Sequence, residues 1–327
     1  MTNLEMEIES AINFLNNFDH NRVRNFLSKI KFPVLVGAMG SSYYLPSGRA
    51  QSLMSNIQTS SKIRFIFASE GYAIEKNNFE SLFLISNSGK TREVVSLAKT
   101  FSSEKVFAVT SDKNSDLAHI AKNIYELKSG KEKAVAATKS IIEQSIICES
   151  LVRFIEGKKI PEKKELLKVA QAMRKNKDIE VDNKLLILIS GARTVYFAGG
   201  SNGIGEEIAL KFSELGKKKS KFIAGTQILH GTEEVIEKGD IVFLLFADKY
   251  IDYMDRFEQM KQKTGCHFVA VGEKCKFADF NLQINFVTGY RPYCILAYFW
   301  NILTRFALIK GYSLDKAEKI SKVGVSI

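Results

Sequence analysis

The sequence predicts an α/β protein made of two similar domains, each a five-stranded parallel sheet flanked by helices as a three-layer αβα sandwich. Three observations predict it. The chain has 327 residues, more than one hydrophobic core usually supports. Short, continuously apolar runs recur between helical patterns, as strands covered on both faces do. The runs fall into two sets of five, each opening with a strand that enters a Gly/Ser turn, which indicates an internal duplication.

Taken in order, "MTNLEMEIESAINFL" opens a helix expected over about residues 3–30; it carries acids and lacks the basic-then-apolar layout of a signal peptide. The first set of strands is "PVLVGAMG", "IRFIFASE", "SLFLISNSG", "KVFAVTSD" and "NIYELKSG". A lysine-rich helical stretch containing Pro161 follows. The second set is "TVYFAGGSN", "KFIAG", "IVFLLFAD", "HFVAVGE" and "LQINFVTG". The expected division is an N-terminal helix (1–30), a first domain (31–155), a helical connector (156–190), a second domain (191–305) and a C-terminal tail (306–327).

Composition excludes several classes. With 45% hydrophobic and 25% charged residues and only 4 prolines, no segment is biased enough for disorder. The most apolar stretch, Tyr293 to Ile309, contains Asn301 and Arg305 and is shorter than the ~20 apolar residues of a membrane span, so it is expected as a buried helix of a soluble, cytoplasmic protein. Cys148, Cys266, Cys275 and Cys294 show neither C-x-x-C pairing nor metal-ligand spacing, and the four histidines include no H-E-x-x-H; reduced thiols and no metal site are expected. The net charge of +11 raises the question of nucleic acid, but the lysines alternate with acids at helix-like spacing, the pattern of solvated faces. Nucleic-acid and membrane partners are therefore not expected, whereas a phosphorylated substrate suits the positive charge.

In sheets of this kind ligands sit at the carboxyl ends of strands, where backbone N–H groups of helix N-termini face outward. Three loops of the first half lie there: "GAMGSSYY", with Gly40, Ser41 and Ser42; "SNSGKT", with Ser86, Asn87, Ser88, Gly89 and Thr91; and "VTSDKNSDLAH". The ending "GKT" suggests a nucleotide P-loop, but that pattern needs a glycine five positions before Gly89, where Leu84 stands. Serine and threonine at such places often only cap helices. Two hydroxyl-rich loops at neighbouring strand ends instead favour a phosphate ligand, and the lack of nearby carboxylates favours a phosphomonoester over a metal-bound triphosphate. In the second half Glu207, Lys211 and Glu214 share one helix face at i, i+4 and i+7, a spacing equally suited to an exposed salt-bridged face. His230 stands in a turn, where a lone histidine is more often a surface residue than a catalyst.

At these residues the chain resembles the sugar isomerase (SIS) family, and two tandem domains resemble the isomerase half of glucosamine-6-phosphate synthase. "GAMGSSYY" is similar to the family's first phosphosugar loop, "ISNSGKT" to its S-x-S-G-x-T phosphate loop and "EKAVAATKSIIEQ" to its V-A-S-T-K segment. "EEIALKFSELG" is similar to the helix carrying the isomerisation glutamate, and "GYSLDKAEKISKVGVSI" to the tail carrying a Schiff-base lysine. The resemblance implies a phosphosugar held by Gly40, Ser41, Ser42, Ser86, Asn87, Ser88, Gly89 and Thr91, with Val135, Ala136 and Ala137 beside it. It implies Glu214 as the carbon 1–carbon 2 proton shuttle, His230 for ring opening, Lys322 near the substrate carbonyl and Lys211 as a positioning group. It also implies a homodimer with shared sites, His230 reaching in from the neighbouring subunit, and no cofactor.

The departures narrow the expectation. No catalytic cysteine follows Met1, so a glutaminase half is not expected; Ala137 replaces the family's serine, and the loop before His230 is unusually basic. The "VAATK" form resembles stand-alone proteins of the glucosamine-6-phosphate deaminase kind. The leading expectation is an isomerase/deaminase converting glucosamine-6-phosphate to fructose-6-phosphate and ammonia. A fructosamine-6-phosphate deglycase, a phosphohexose isomerase and a non-catalytic phosphosugar sensor are the alternatives.

Overall fold

The computed structural model describes residues 1–319. Its elements are α1 (Asn3–Asn16), α2 (His20–Leu27), β1 (Val34–Ala38), α3 (Ser41–Ser52), α4 (Ile57–Lys62), β2 (Ile63–Phe67), β3 (Ser81–Ile85), α5 (Arg92–Ala98), β4 (Val106–Thr110), α6 (Asp116–Ile120), β5 (Asn123–Glu126) and α7 (Lys139–Ile155). They continue as α8 (Lys163–Lys177), α9 (Asn183–Gly191), β6 (Thr194–Gly199), α10 (Ile204–Glu214), β7 (Lys219–Ala224), β8 (Ile241–Leu245), α11 (Met254–Thr264), β9 (His267–Val271), β10 (Phe280–Leu282) and α12 (Arg291–Ile309). Two compact units result: Met1–Ala170 with the described residues from Asp315, and Gln171–Leu314.

Each unit holds one five-stranded sheet, all pairings parallel, in the orders β2-β1-β3-β4-β5 and β7-β6-β8-β9-β10. The two orders are one topology used twice. The side on which successive strands are added reverses between β1 and β3 in the first unit and between β6 and β8 in the second. A crevice opens at such a reversal because the flanking helices leave on opposite faces.

The continuous apolar runs follow from coverage on both faces. On β3, Leu82 and Leu84 join the core beneath α5 and α6, while Phe83 points the other way, 5.9 Å from Phe26 of α2. The second sheet repeats the alternation. Tyr196 and Ala198 of β6 face one core, and Phe197 faces Phe212 of α10, Phe243 of β8 and Phe299 of α12 at 5.0, 5.2 and 5.8 Å. That aromatic cluster seats α10 on the sheet. The apolar helix α12 is a core helix, 83% buried over its most apolar stretch.

Two expectations are corrected. The helix expected over 3–30 is two helices, because Asn17 ends α1 and the Asp19 carboxylate caps α2 by accepting from Arg22 N–H at 3.0 Å. The last strand lies earlier than "LQINFVTG": β10 spans Phe280–Leu282. Beyond it Asn285 gives its backbone N–H to Asn176 Oδ1 at 2.8 Å and its carbonyl accepts from Asn176 Nδ2 at 3.0 Å, so these groups do not pair with β9.

Candidate functional site

The phosphate-type loops leave the sheet side by side. Ala38 at the end of β1 is in register with Ile85 at the end of β3, so Gly40–Ser42 and Ser86–Thr91 flank the strand-order reversal. Gly40 (φ 53°) precedes α3, whose first turn holds buried Ser41 and half-buried Ser42.

The second loop is wound on itself. Ser86 Oγ accepts from Gly89 N–H at 3.1 Å and pairs with Thr91 Oγ1 at 2.9 Å, and Ser88 Oγ accepts from Lys90 N–H at 3.2 Å. Thr91 stands at the N-cap of α5 without capping it through its side chain. The hydroxyls therefore define a loop rather than serve as helix caps. Gly89 is required there: its φ is +64°, and a Cβ would stand 2.0 Å from Ser115 Oγ.

The third hydroxyl-rich loop has a supporting role. Thr110 and Ser111 hydroxyls both donate to the Asn87 carbonyl, at 3.1 and 2.7 Å, and Ser115 caps α6. Its side chains thus hold the second loop from behind.

Glu132 was not singled out in the sequence, yet it joins two of the predicted segments. Its carboxylate accepts from Thr138 N–H (2.6 Å) and Ser140 N–H (3.1 Å) at the start of α7, and from Asn87 Nδ2 (3.2 Å). This draws the Val135–Ala136–Ala137 segment to the phosphate-type loop, with Ala136 buried and Val135 and Ala137 half-buried. Asn87 Oδ1 and Thr138 Oγ1 are buried without a hydrogen-bond partner among the described residues. Such groups are rare in folded proteins and suit a polar ligand or water. Only the three-dimensional turn reveals Glu132, because nothing in its spacing distinguishes it from neighbouring surface acids.

In the second unit, α10 converts the i, i+4, i+7 pattern into a buried charge relay. Lys211 is fully buried, with Nζ 3.1 Å from Glu207 Oε1 and 2.8 Å from Glu214 Oε2. Glu207 is also fully buried, whereas the Glu214 side chain retains 18% exposure. Burial alone pushes the Lys211 ammonium pKa down, but the two carboxylates outweigh it and hold the value above that of ordinary lysine. Lys211 is thus a fixed cation at neutral pH, suited to positioning Glu214 and unsuited to imine formation. Glu206, in the first turn of the same helix, has its carboxyl pKa raised by burial.

His230 follows a short 3-10 turn over Gln227–Leu229 and is exposed; its ring makes no hydrogen bond among the described residues. It is not joined to Glu214 by one. Lys322 lies outside the described residues. The predicted residues thus gather in two groups, the loops of the first unit and α10 of the second.

No family model matches the chain. In sequence it is 23% identical over 263 residues to the glutamine–fructose-6-phosphate aminotransferase (isomerizing) of Sulfurisphaera tokodaii, an alignment covering 79% of this chain and 44% of that protein. The chain thus spans less than half the length of this curated relative. In structure it is similar to the C-terminal domain of glucosamine-fructose-6-phosphate aminotransferase from Francisella tularensis, with a TM-score of 0.78, 15% identity and coverage of 96% and 98%. Sequence and fold thus liken the chain to the isomerase part of these sugar-phosphate enzymes. The same fold occurs in glucosamine-6-phosphate deaminase from Thermotoga maritima, with a TM-score of 0.74, 22% identity and 98% coverage of both chains. Strand ends, loops and α10 are therefore features of an SIS fold, and its duplicated sheet carries unlike chemistry in its two copies.

Proposed function

We propose that the protein is a phosphosugar isomerase/deaminase that converts glucosamine-6-phosphate to fructose-6-phosphate and ammonia. The observation that carries this reading is the Glu207–Lys211–Glu214 chain: a partly exposed carboxylate held in place by a buried cation, as a proton shuttle requires.

In the proposed reaction the phosphate and neighbouring hydroxyls rest on Ser42, Ser86, Asn87, Ser88 and Thr91, with Gly40, Ser41 and Gly89 shaping the backbone. Glu214 takes the proton from carbon 2 of the open-chain amino aldose. The electron pair moves into a carbon 1–carbon 2 double bond as the carbonyl π pair takes up a proton on oxygen 1. The amine then gives up a proton, a carbon 2–nitrogen double bond forms, and the carbon 1–carbon 2 double bond opens to take the proton back from Glu214 at carbon 1. Carbon 1 becomes a hydroxymethyl group and carbon 2 an imine. Water adds at carbon 2 and ammonia leaves, giving the ketose. His230 assists ring opening, supplied by a second copy of the chain in a homodimer, and Lys322 approaches the substrate carbonyl. The steps are proton transfers, the addition of water and the loss of ammonia, with no net oxidation or reduction, so the reading needs no cofactor.

A second feature favours ammonia release over glutamine-dependent amination by this chain. All four cysteines are buried, and burial raises the pKa of each thiol, about 11 at Cys294, so none offers a solvent-facing thiolate. The test is ammonia release from glucosamine-6-phosphate by the purified protein. The expected result is stoichiometric ammonia and fructose-6-phosphate, both abolished by Glu214→Gln. Release of lysine from fructoselysine-6-phosphate without turnover of glucosamine-6-phosphate would replace the reading by a deglycase.

A further inference from the structure

Glu7 lies on the N-terminal helix α1, far in sequence from every loop discussed, and is 5% exposed. An amphipathic surface helix has no need of a buried carboxylate, and burying one is costly unless its oxygens are hydrogen-bonded. Here they are. Oε1 accepts from Lys133 N–H at 2.5 Å and Oε2 from Ala134 N–H at 3.3 Å, with Lys139 Nζ 3.5 Å from Oε1. Glu7 thus grips the segment that runs through Val135–Ala137, while Glu132 closes the same segment onto Thr138 and Ser140 and holds Asn87. One turn back along α1, Asn3 N–H donates to Asp315 Oδ2 at 3.3 Å, so the same helix also meets the start of the C-terminal tail.

We propose that α1 braces the phosphosugar site and that Glu7 is a positioning residue which holds the 133–138 segment against the phosphate loop. The proposal rests on the phosphosugar reading above and adds to it a control from outside the two sheets. On the phosphosugar reading the phosphate rests on Ser86–Thr91 and this segment lies beside the sugar, so its loosening should weaken sugar recognition more than phosphate recognition.

The experiment compares Glu7→Gln with the native protein, using backbone hydrogen exchange without ligand and affinities for fructose-6-phosphate and inorganic phosphate. Glutamine has one acceptor oxygen and no charge, so one N–H contact and the Lys139 pair are lost. Exchange is expected to quicken about tenfold at Lys133 and Ala134 and to spread to Thr138 and Ser140, with about tenfold weaker fructose-6-phosphate binding and less than about threefold change for phosphate. Glu7→Asp keeps the charge and shortens the reach; it should give the same pattern at smaller amplitude, and serves should Glu7→Gln not fold. Faster exchange confined to Lys133 and Ala134, with both affinities unchanged, would overturn the brace. So would uniformly faster exchange with equal loss of both affinities, which marks general destabilisation. A native protein that binds phosphate but not fructose-6-phosphate sinks the substrate reading instead, and the exchange pattern still decides the brace.

Discussion

The two strand-order reversals share a topology and differ in chemistry. At the first, between β1 and β3, the loops present hydroxyls and backbone groups, and the nearby Glu132 carboxylate is occupied by N–H donors. In the second unit the helix after β6 carries two carboxylates and a lysine in one buried ion chain. A cradle of hydroxyls and backbone N–H groups can bind an anion without needing to change protonation. A carboxylate held by a fixed cation is suited to giving and taking a proton. One topology is used twice, with the hydroxyls of the first unit in loops at strand ends and the ion chain of the second along α10, whose last turn holds Lys211 and Glu214. Under the proposed function the first group holds and the second reacts.

The sharpest break of this contrast is Glu214→Gln. It removes the proton acceptor and keeps the side-chain shape, so kcat should fall by about 10²–10⁴ with fructose-6-phosphate affinity nearly unchanged. Loss of affinity with unchanged kcat would move Glu214 from the reacting group to the holding group.

Lys211→Met comes next and reads out in stability. It takes the Lys211 ammonium away from the fully buried Glu207 carboxylate, at a cost of about 3–5 kcal/mol in urea unfolding. Adding Glu207→Leu should recover most of that loss, because the buried carboxylate is then gone. A double variant as unstable as the single one would show that the loss lies in packing.

Gly89→Ala tests the first site. A Cβ at φ +64° beside Ser115 Oγ forces the loop to move, with strain of about 1–3 kcal/mol. Phosphate and fructose-6-phosphate affinities should fall together by roughly tenfold or more. Intact affinities would remove the loop from phosphate binding.

Much of this was legible in the sequence, for reasons tied to particular residues. The inner strands show because their apolar runs are buried on both faces, as Leu82, Phe83 and Leu84 illustrate, whereas β2, β5, β7 and β10 are partly exposed. Ser86, Gly89 and Thr91 show because a tight loop needs small residues at fixed spacing. Lys211 between Glu207 and Glu214 was visible only as a face, since spacing cannot distinguish a solvated salt bridge from a buried one. Phe212 settles that by packing α10 against Phe197, Phe243 and Phe299. Glu7 and Glu132 were illegible because most of their partners are backbone N–H groups, which leave no mark in the sequence. Asn285 misled for the same reason: its run has strand-like composition, and the side chain of Asn176 takes its backbone groups.

The smallest effect separates the two regions by the sign of a pH dependence. Burial raises the Glu206 carboxyl pKa above its ordinary 4.5. Below that value both folded and unfolded chains are protonated there and folding carries no penalty. As pH rises, the unfolded chain ionises first, so stability is lost until the folded carboxyl ionises too. Glu206→Gln should therefore raise Tm at pH 7, by about 2–4 °C for each kcal/mol recovered, and leave it unchanged near pH 4. Asp112, behind the phosphate loop, behaves oppositely: its hydrogen bond from Lys131 holds its pKa below the ordinary 3.8. Its contribution is present above that value and lost as pH falls through it, so Asp112→Asn should lower Tm at pH 7 and converge with the native protein in acid. Thermal scans of both variants between pH 3 and pH 8 should cross the native curve's behaviour from opposite sides. Two shifts of the same sign at pH 7 would mean that carboxyl environments do not distinguish the regions.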